Sequence, residues 1–399
     1  ARLEPIAGAA SALPFFSGGF LGALAYELGP PEEELDLPAD PLALARVVGG
    51  LYTDFLLRDH IAGETWLCLG EDPGDGRAPV AERRDAILSA LSEEHAPAAT
   101  PDPTRGSLDR RVSPEEHRAR IERVREEIAR GEIYQANLTY RSSAVVRADA
   151  VELYRRLRAA HPGPYAGYLD AGEFQILSGS PELLLEFEPA TPERPARGKT
   201  RPIKGTAPRA AEPRRDAALA AELLASEKDR AELAMIVDLE RNDLGRRALP
   251  GAVRAELPFR LESFATVHHL MSDVEADIDP RYDGLDVLAA LFPGGSVTGA
   301  PKLRAMEVIA ELEREGRGFF YGSMLAVDTL GRVHANLLIR TLVRIGRAEA
   351  ASADVHFRVG GGITHASVAA EEEREAGWKG EALARLLGGE ALTAPEATR

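Results

Sequence analysis

The chain has almost no cysteine. Cys68 is alone among 399 residues, so no internal disulfide can form. A reducing, cytoplasmic compartment is therefore expected. Cys68 lies in the apolar run 66–69, the setting of an inert core thiol and not of a nucleophile. An excess of basic residues is also missing. The formal net charge is −16, which excludes the basic face that nucleic-acid binding requires. A small anionic substrate remains open, because a few local cations or a metal ion can reverse the field inside a pocket. No run reaches the roughly 18 uninterrupted apolar residues of a membrane span. The fairly apolar stretch 13–28 lacks a basic leading region and has Glu4 upstream, so it does not read as a signal peptide. The first residue is Ala, which suggests a trimmed or processed start. There is no internal repeat.

What is present reads as soluble and globular, with 44% hydrophobic and 28% charged residues. The length suits one large or two ordinary domains. Residues 93–109 are rich in Ala, Pro, Thr and Asp and make the best linker. That places an N-terminal α+β part at 1–105, a larger domain at 106–390 and a tail at 391–399. A strand is expected within 50–57 and a helix over 80–91. Ser113, Pro114 and Glu116 predict a helix start with a capping box. His117, Ile121, Val124 and Ile128 would form its inner face, and Gly131 would end it. Strands are expected at 134–140, 166–169, 175–177, 183–187, 259–271 and 333–343, with a surface loop at 189–198. Helices are expected at 214–238, 301–314 and 369–387. Strands and helices without regular alternation predict an α+β fold.

Lys204 is the residue with most chemical meaning. It sits in the Pro/Gly-punctuated run 201–206, and two carboxylate pairs follow it. Asp229 and Glu232 share a helix face, as do Glu372 and Glu375, with Lys379 one turn further on. Either pair alone reads as a solvated face; converging, they would form the hard oxygen site that Mg²⁺ prefers. Two glycine loops, 294–302 and 360–363, offer open amides to an anion. The first is not a phosphate loop, because Ala300 stands where that motif needs lysine. His269 ends an apolar strand, where a histidine is more often structural. Arg340, if it points inward, needs an anionic partner such as a carboxylate.

In this order the pieces resemble the chorismate-utilising enzymes. The blocks are 131–139 (GEIYQANLT), 178–182 (SGSPE), 201–206 (RPIKGT), 231–243 (AELAMIVDLERND), 294–302, 336–341 and 360–375. Similarity runs from about residue 14 to 387. Within the family, Lys204 and the 134–138 segment resemble the branch that makes 4-amino-4-deoxychorismate, since the anthranilate branch usually carries Ala at the lysine position.

The resemblance implies an α+β fold of stacked antiparallel sheets flanked by helices. It implies Mg²⁺ held by Asp229, Glu232, Glu372 and Glu375. Substrate carboxylates would meet Arg340, Lys379 and the amides of Gly360, Gly361 and Gly362. Ser296, Thr298 and Thr206 would supply pocket hydroxyls, and His269 would lie near the ring. Glu182 would act as general acid/base and Lys204 as nucleophile. Ammonia would come from a separate glutamine amidotransferase subunit, because Cys68 belongs to no glutaminase motif. Two departures stand out. Leu325-Ala326 replaces the family's Gly-Tyr, whose tyrosine contacts a substrate carboxylate. Ala366-Ser367-Val368 replaces Asp-Ser-Asp. Amination at C2, as in the anthranilate branch, is the alternative reaction, and a weakened chorismate-binding homologue is the alternative without turnover.

Overall fold

The computed structural model describes residues 13–31, 33–70, 76–93, 103–265 and 267–388. The tail 391–399 and most of the linker lie outside these residues.

Two large antiparallel sheets organise the described residues. The first runs 248–255, 274–278, 197–201, 183–188, 333–336, 323–328, 19–24 and 47–52 across its width. The second runs 299–300, 135–147, 353–363, 341–345, 174–178 and 167–170, with 104–105 and 109–110 added on 135–147. A three-stranded sheet, 203–208, 267–271 and 260–263, carries Lys204 and His269. This is the expected α+β architecture.

Side-chain alternation stacks the large sheets. Leu342 and Leu177 point to the cluster formed with helices Ala150–Ala160 and Ala369–Leu386. Their strand neighbours Val343, Ile176 and Phe174 point the other way, to a core shared with Leu184, Leu185 and Phe187 of the first sheet. Buried on both faces, the second sheet reads as near-continuous burial, not as clean alternation. A third cluster joins Ile121 and Val124 to Ala305, Val308 and Ile309, over Ala136 and Leu138.

Several elements differ from the sequence expectation for identifiable reasons. The strand expected at 134–140 is Gln135–Arg147. Its later residues Arg141, Ser142 and Ser143 are polar yet buried, and that polarity hid them. The helix Pro114–Ala129 starts at Ser113, whose Oγ accepts from the Glu116 amide at 3.1 Å. The reciprocal half of the box is not made; the Glu116 carboxylate instead accepts from Arg120 at 2.6 Å. The single helix expected at 214–238 is two, Pro213–Ala225 and Glu227–Gly245. Ser226 breaks it by leaving helical geometry and accepting from the Asp229 amide at 3.2 Å, an ordinary N-cap trade. The strand expected at 259–271 is a hairpin, Arg260–Ser263 with Val267–Met271. The strand expected at 333–343 is also two, Val333–Asn336 in the first sheet and Thr341–Ile345 in the second. Arg340 therefore lies in the crossover, at φ +49°, and not in a strand.

One buried ion network ties these layers together. Glu313 accepts from Arg317 at 2.7 Å and from Arg358 at 2.8 Å, and all three side chains are no more than 2% exposed. Glu313 also accepts from the Thr139 amide and hydroxyl, each at 2.8 Å. Arg317 donates to the carbonyls of Val297 and Asn137. Its own amide and that of Gly318 donate to the Glu27 carboxylate. Removing one partner of such a network strands the others as buried charges, which costs about 3–5 kcal/mol. Glu313→Ala is expected to lower unfolding stability by that amount in a denaturant titration. Exposed Glu122→Ala, which loses only a surface pair with Arg125, is expected to change it by less than about 1 kcal/mol.

Candidate active site

Lys204 lies on the strand Ile203–Pro208, opposite Leu270. The register shifts just after it, where Gly205 takes φ +76°. A side chain on Gly205 would also meet Leu223 and, at 2.9 Å, Asp229 Oδ1. The bulge and this close approach both require glycine. They bring the first carboxylate helix against the lysine strand. Lys204 Nζ points inward and makes no hydrogen bond or ion pair among the described residues. Burial holds its basicity below the ordinary lysine range, opposed by Glu232 and Glu182 and assisted by Lys379. The result is an amine closer to its neutral, nucleophilic form.

The glycine strand 360–362 forms the neighbouring wall. Gly360 admits no side chain, because a Cβ there would sit 2.0 Å from the Leu138 carbonyl oxygen. The Cβ position of Gly361 is 3.6 Å from Glu372 Oε2 and 3.7 Å from Lys379 Nζ. That of Gly362 is 3.4 Å from Lys204 Nζ and 2.8 Å from Gln135 Nε2. The strand thus passes between the lysine and the second carboxylate helix. Lys379 Nζ donates to the Gly360 carbonyl at 3.1 Å and pairs with Glu375 at 2.7 Å.

Glu182 is 4% exposed, and its Oε1 is buried without a hydrogen-bond partner. Burial pushes its carboxyl up to about 7, against the pull of Ser296, Lys204, the Ile203 amide and Arg340. A carboxyl poised there can both give and take a proton near neutrality. Ser296 Oγ is buried beside it and completes no hydrogen bond of good geometry, so both groups keep capacity for a ligand. Thr298 is turned into its own loop, donating to the Gly294 carbonyl at 2.9 Å.

His269 Nδ1 lies 3.0 Å from Thr206 Oγ1 and 3.4 Å from the Gly205 carbonyl oxygen. A carbonyl can only accept, so Nδ1 carries the hydrogen. Nε2 then accepts from Arg340 at 3.4 Å. Burial and Arg340 drive the His269 pKa down to about 4, so the ring is neutral. No carboxylate forms an ion pair with Arg340 among the described residues. Burial weakens its hold on the proton, and Glu182 opposes this. A guanidinium enclosed in this way is a receptor for a ligand carboxylate.

The four carboxylates assigned to Mg²⁺ share one electrostatic neighbourhood. Burial raises the Glu232 carboxyl; Lys204 and Lys228 oppose this, while Asp229 and Glu372 add to it. An all-oxygen donor set on two helices suits a hard divalent cation in its chemistry. Among the described residues, however, no three of these groups close round one point. Glu375 is taken by Lys379. Glu372 accepts from Ser367 at 2.7 Å, and Asp229 accepts from the Ser226 hydroxyl. A cavity of about 270 Å³ opens on this group, lined by Lys228, Ser367, Glu372 and Glu375.

Sequence reasoning passed over Gln135, Asn137 and Glu240. Both polar atoms of the Gln135 side chain and Asn137 Nδ2 are buried without partners. A period-two signal marked them, because Ala136 and Leu138 face the helices while Gln135 and Asn137 alternate to the other face, where Gln135 Nε2 lies 2.8 Å from the Cβ position of Gly362. Glu240 accepts from Thr200 at 2.8 Å. Burial, then Glu182, pushes its carboxyl up to about 8. It hides in a helix that reads as amphipathic surface.

These groups gather an uncharged-leaning amine, a protonatable carboxyl, a guanidinium without an ion pair among the described residues and a bank of carboxylates. Residues 3–385 match the family of proteins described as chorismate binding enzyme. The chain belongs to this family. It is 34% identical to aminodeoxychorismate synthase component 1 of Bacillus subtilis (strain 168), over 94% of this chain and 78% of that protein. It is 38% identical to anthranilate synthase component 1 of Streptomyces coelicolor, over 93% and 73% of the respective chains. Its fold superposes on the crystal structure of anthranilate synthase component I from Streptococcus pneumoniae TIGR4 with a TM-score of 0.81 and 28% identity. That match covers 96% of this chain and 82% of the other.

The raised Glu182 carboxyl has a consequence for stability. Its folded pKa, about 7, lies above its ordinary value of 4.5. Its contribution is therefore fully present below pH 4.5 and is lost as pH rises through 7. Glu182→Gln, which cannot ionise, is expected to match the parent in unfolding stability at pH 4. At pH 8 it is expected to exceed the parent by about 3 kcal/mol. Chemical denaturation at the two pH values measures the difference.

Proposed function

We propose that this chain converts chorismate and ammonia to 4-amino-4-deoxychorismate and water, with Lys204 as the nucleophile. The observation that carries the reading is the buried Lys204 amine, lowered in basicity, within electrostatic reach of the raised Glu182 carboxyl. Arg340, Lys379 and the amides of Gly360 to Gly362 hold the substrate carboxylates. The neutral amine attacks C2, the double bonds shift, and the C4 hydroxyl leaves with the proton of Glu182. Ammonia then attacks C4, the electrons return, and the C2–N bond to Lys204 breaks. The proton that the new amine sheds restores Glu182. Neutral His269 borders the ring without adding charge, and Ser296 and Thr206 complete the polar lining, while the Thr298 hydroxyl is spent within its own loop. Asp229, Glu232, Glu372 and Glu375 would hold Mg²⁺, which when bound neutralises a carboxylate in an otherwise acidic protein.

The relatives carry the name component 1. By that analogy the ammonia comes from a separate glutamine amidotransferase subunit, with free ammonia as its substitute. The product serves p-aminobenzoate and folate synthesis.

Amination at C2 to give anthranilate is the second reading, favoured by the 38% identical relative. Lys204 argues against it. The substitution Leu325-Ala326 motivates a third reading, a homologue that binds without turnover. Leu325 belongs to the buried core, and the retained Glu182 and Lys204 speak for chemistry.

Mass spectrometry of products from chorismate, Mg²⁺ and ammonium separates the three. The expected product is aminodeoxychorismate, which an added lyase converts to p-aminobenzoate. Fluorescent anthranilate would establish the second reading, and binding without product, even with a glutaminase subunit, the third. Lys204→Ala is expected to abolish or redirect the product. Glu182→Gln is expected to lower kcat by on the order of 10²–10⁴-fold. An undiminished aminodeoxychorismate yield from Lys204→Ala would end the covalent role.

A further inference from the structure

Gln135 has no part in the chemistry described so far, yet its side chain is fully buried. Neither its Oε1 nor its Nε2 has a hydrogen-bond partner among the described residues. A buried amide with both ends idle works against folding, and groups of this kind mark a ligand, a bound water or a reacting neighbour.

The backbone that carries this amide is held on both sides. Gln135 opens the strand Gln135–Arg147 and pairs with Ala300 along one edge. Along the other edge Ala136 and Asn137 pair with Ile363 and Gly362. Gly299 lets the first pair close, since a Cβ there would lie 2.1 Å from the Gln135 carbonyl oxygen. The side chain then reaches over Gly362. Gln135 Nε2 and Cδ lie 2.8 Å and 3.1 Å from the Cβ position of Gly362, and Lys204 Nζ lies 3.4 Å from that same point. The amide and the amine thus border one carbon-sized space, which Gly362 leaves open.

Lys204 Nζ likewise makes no hydrogen bond or ion pair among the described residues. The charged groups that act on it most are Glu232, Glu182 and Glu375, with Lys379 in the opposite sense. A carboxylate in direct contact would fix the amine as an ammonium, which cannot attack. A neutral amide oxygen can accept one amine hydrogen and leave the lone pair free. Either end of the Gln135 amide can be turned to the lysine, because neither is tied elsewhere among the described residues.

We propose that Gln135 is a positioning residue for the nucleophile: its side-chain oxygen accepts a hydrogen from Lys204 Nζ and aims the amine lone pair at the substrate. This rests on the reading that Lys204 attacks chorismate. In that step the lysine nitrogen bonds to C2, the C4–O bond breaks, and water leaves with the proton of Glu182. Gln135 gives up no proton and gains none.

The test follows that step alone. The parent chain, Gln135→Met and Gln135→Asn are mixed with chorismate and Mg²⁺ without ammonium and quenched at intervals. Intact-protein mass spectrometry times the covalent adduct, chorismate less water. Chorismate Kd is measured by calorimetry in the Lys204→Ala background, where no adduct forms. Gln135→Met keeps the side-chain length without an acceptor. It is expected to slow adduct formation about 10²-fold, the cost of a nucleophile misplaced by about 1 Å, and to leave Kd within about twofold. Because the parent amide has no partner in the free chain, Gln135→Met is expected to unfold no earlier than the parent. Gln135→Asn keeps the amide but falls one methylene short, and it is expected to slow the adduct as well. Adduct formation at the parent rate in either folded variant would overturn the proposal. So would a Kd weakened by the same factor as the rate, which would make Gln135 a substrate contact. A parent chain that forms no adduct would end the Lys204 reading itself, and this role with it.

Discussion

Glu313, caught between Arg317 and Arg358, is the constraint on which the rest of the structure depends. Its carboxylate joins the end of helix Lys302–Glu313 to strand Ala353–Ile363 and, through Thr139, to strand Gln135–Arg147. Arg317 reaches on to the carbonyls of Val297 and Asn137. The glycine loop carrying Ser296 and the strand carrying Gln135 and Asn137 are therefore fixed by one charge cluster. Packing alone would position these segments less well, because glycine loops offer few side chains to interlock. A buried network is weak as a source of net stability. Its value here is that every bond has a defined direction, so the loop has one register against the strand.

The site depends on the opposite condition. Glu313 is buried and fully paired, and its carboxyl is held below the usual range. Among the described residues Glu182 and Glu240 are buried without a cation paired to them, and both are raised. The same side chain, at similar burial, thus takes opposite protonation states according to its partners. One serves as a fixed anion, the other as an exchangeable proton. The glycine strand contributes backbone alone beside Lys204, while the bulge at Gly205 admits the helix that carries Asp229 and Glu232.

Much of this was legible in the sequence where local chemistry decides. Ser113 and Pro114 mark a helix start by properties of their own side chains, and the helix begins there. The spacing of Glu372, Glu375 and Lys379 gave one face, and Lys379 does pair with Glu375. What was not legible depended on partners distant in the chain. Arg141 to Ser143 read as the end of a strand because their polarity is answered by residues such as Glu315 and His356. The break at Ser226 looked like one serine in a helix, since serine caps and serine interiors differ only in backbone geometry. Glu240 read as surface because Thr200 and Glu182, its neighbours, are 40 and 58 positions away.

Arg340 shows how topology can outweigh pattern. The run 333–343 is apolar enough for one strand, yet its two halves belong to two stacked sheets. A chain that passes between layers must leave extended geometry, and it does so with Arg340 at positive φ. For a residue with a Cβ this conformation is unfavourable, so neighbours must hold it. The Gly179 amide bonds its carbonyl, and the His269 ring meets its guanidinium. The arginine stands at the seam of the two sheets, beside the loop that bears Glu182 and the strand that bears His269. A straight strand would have pointed it to one sheet face. The crossover instead leaves it against the neutral His269 ring, and among the described residues Glu182 is the carboxyl that answers its positive charge.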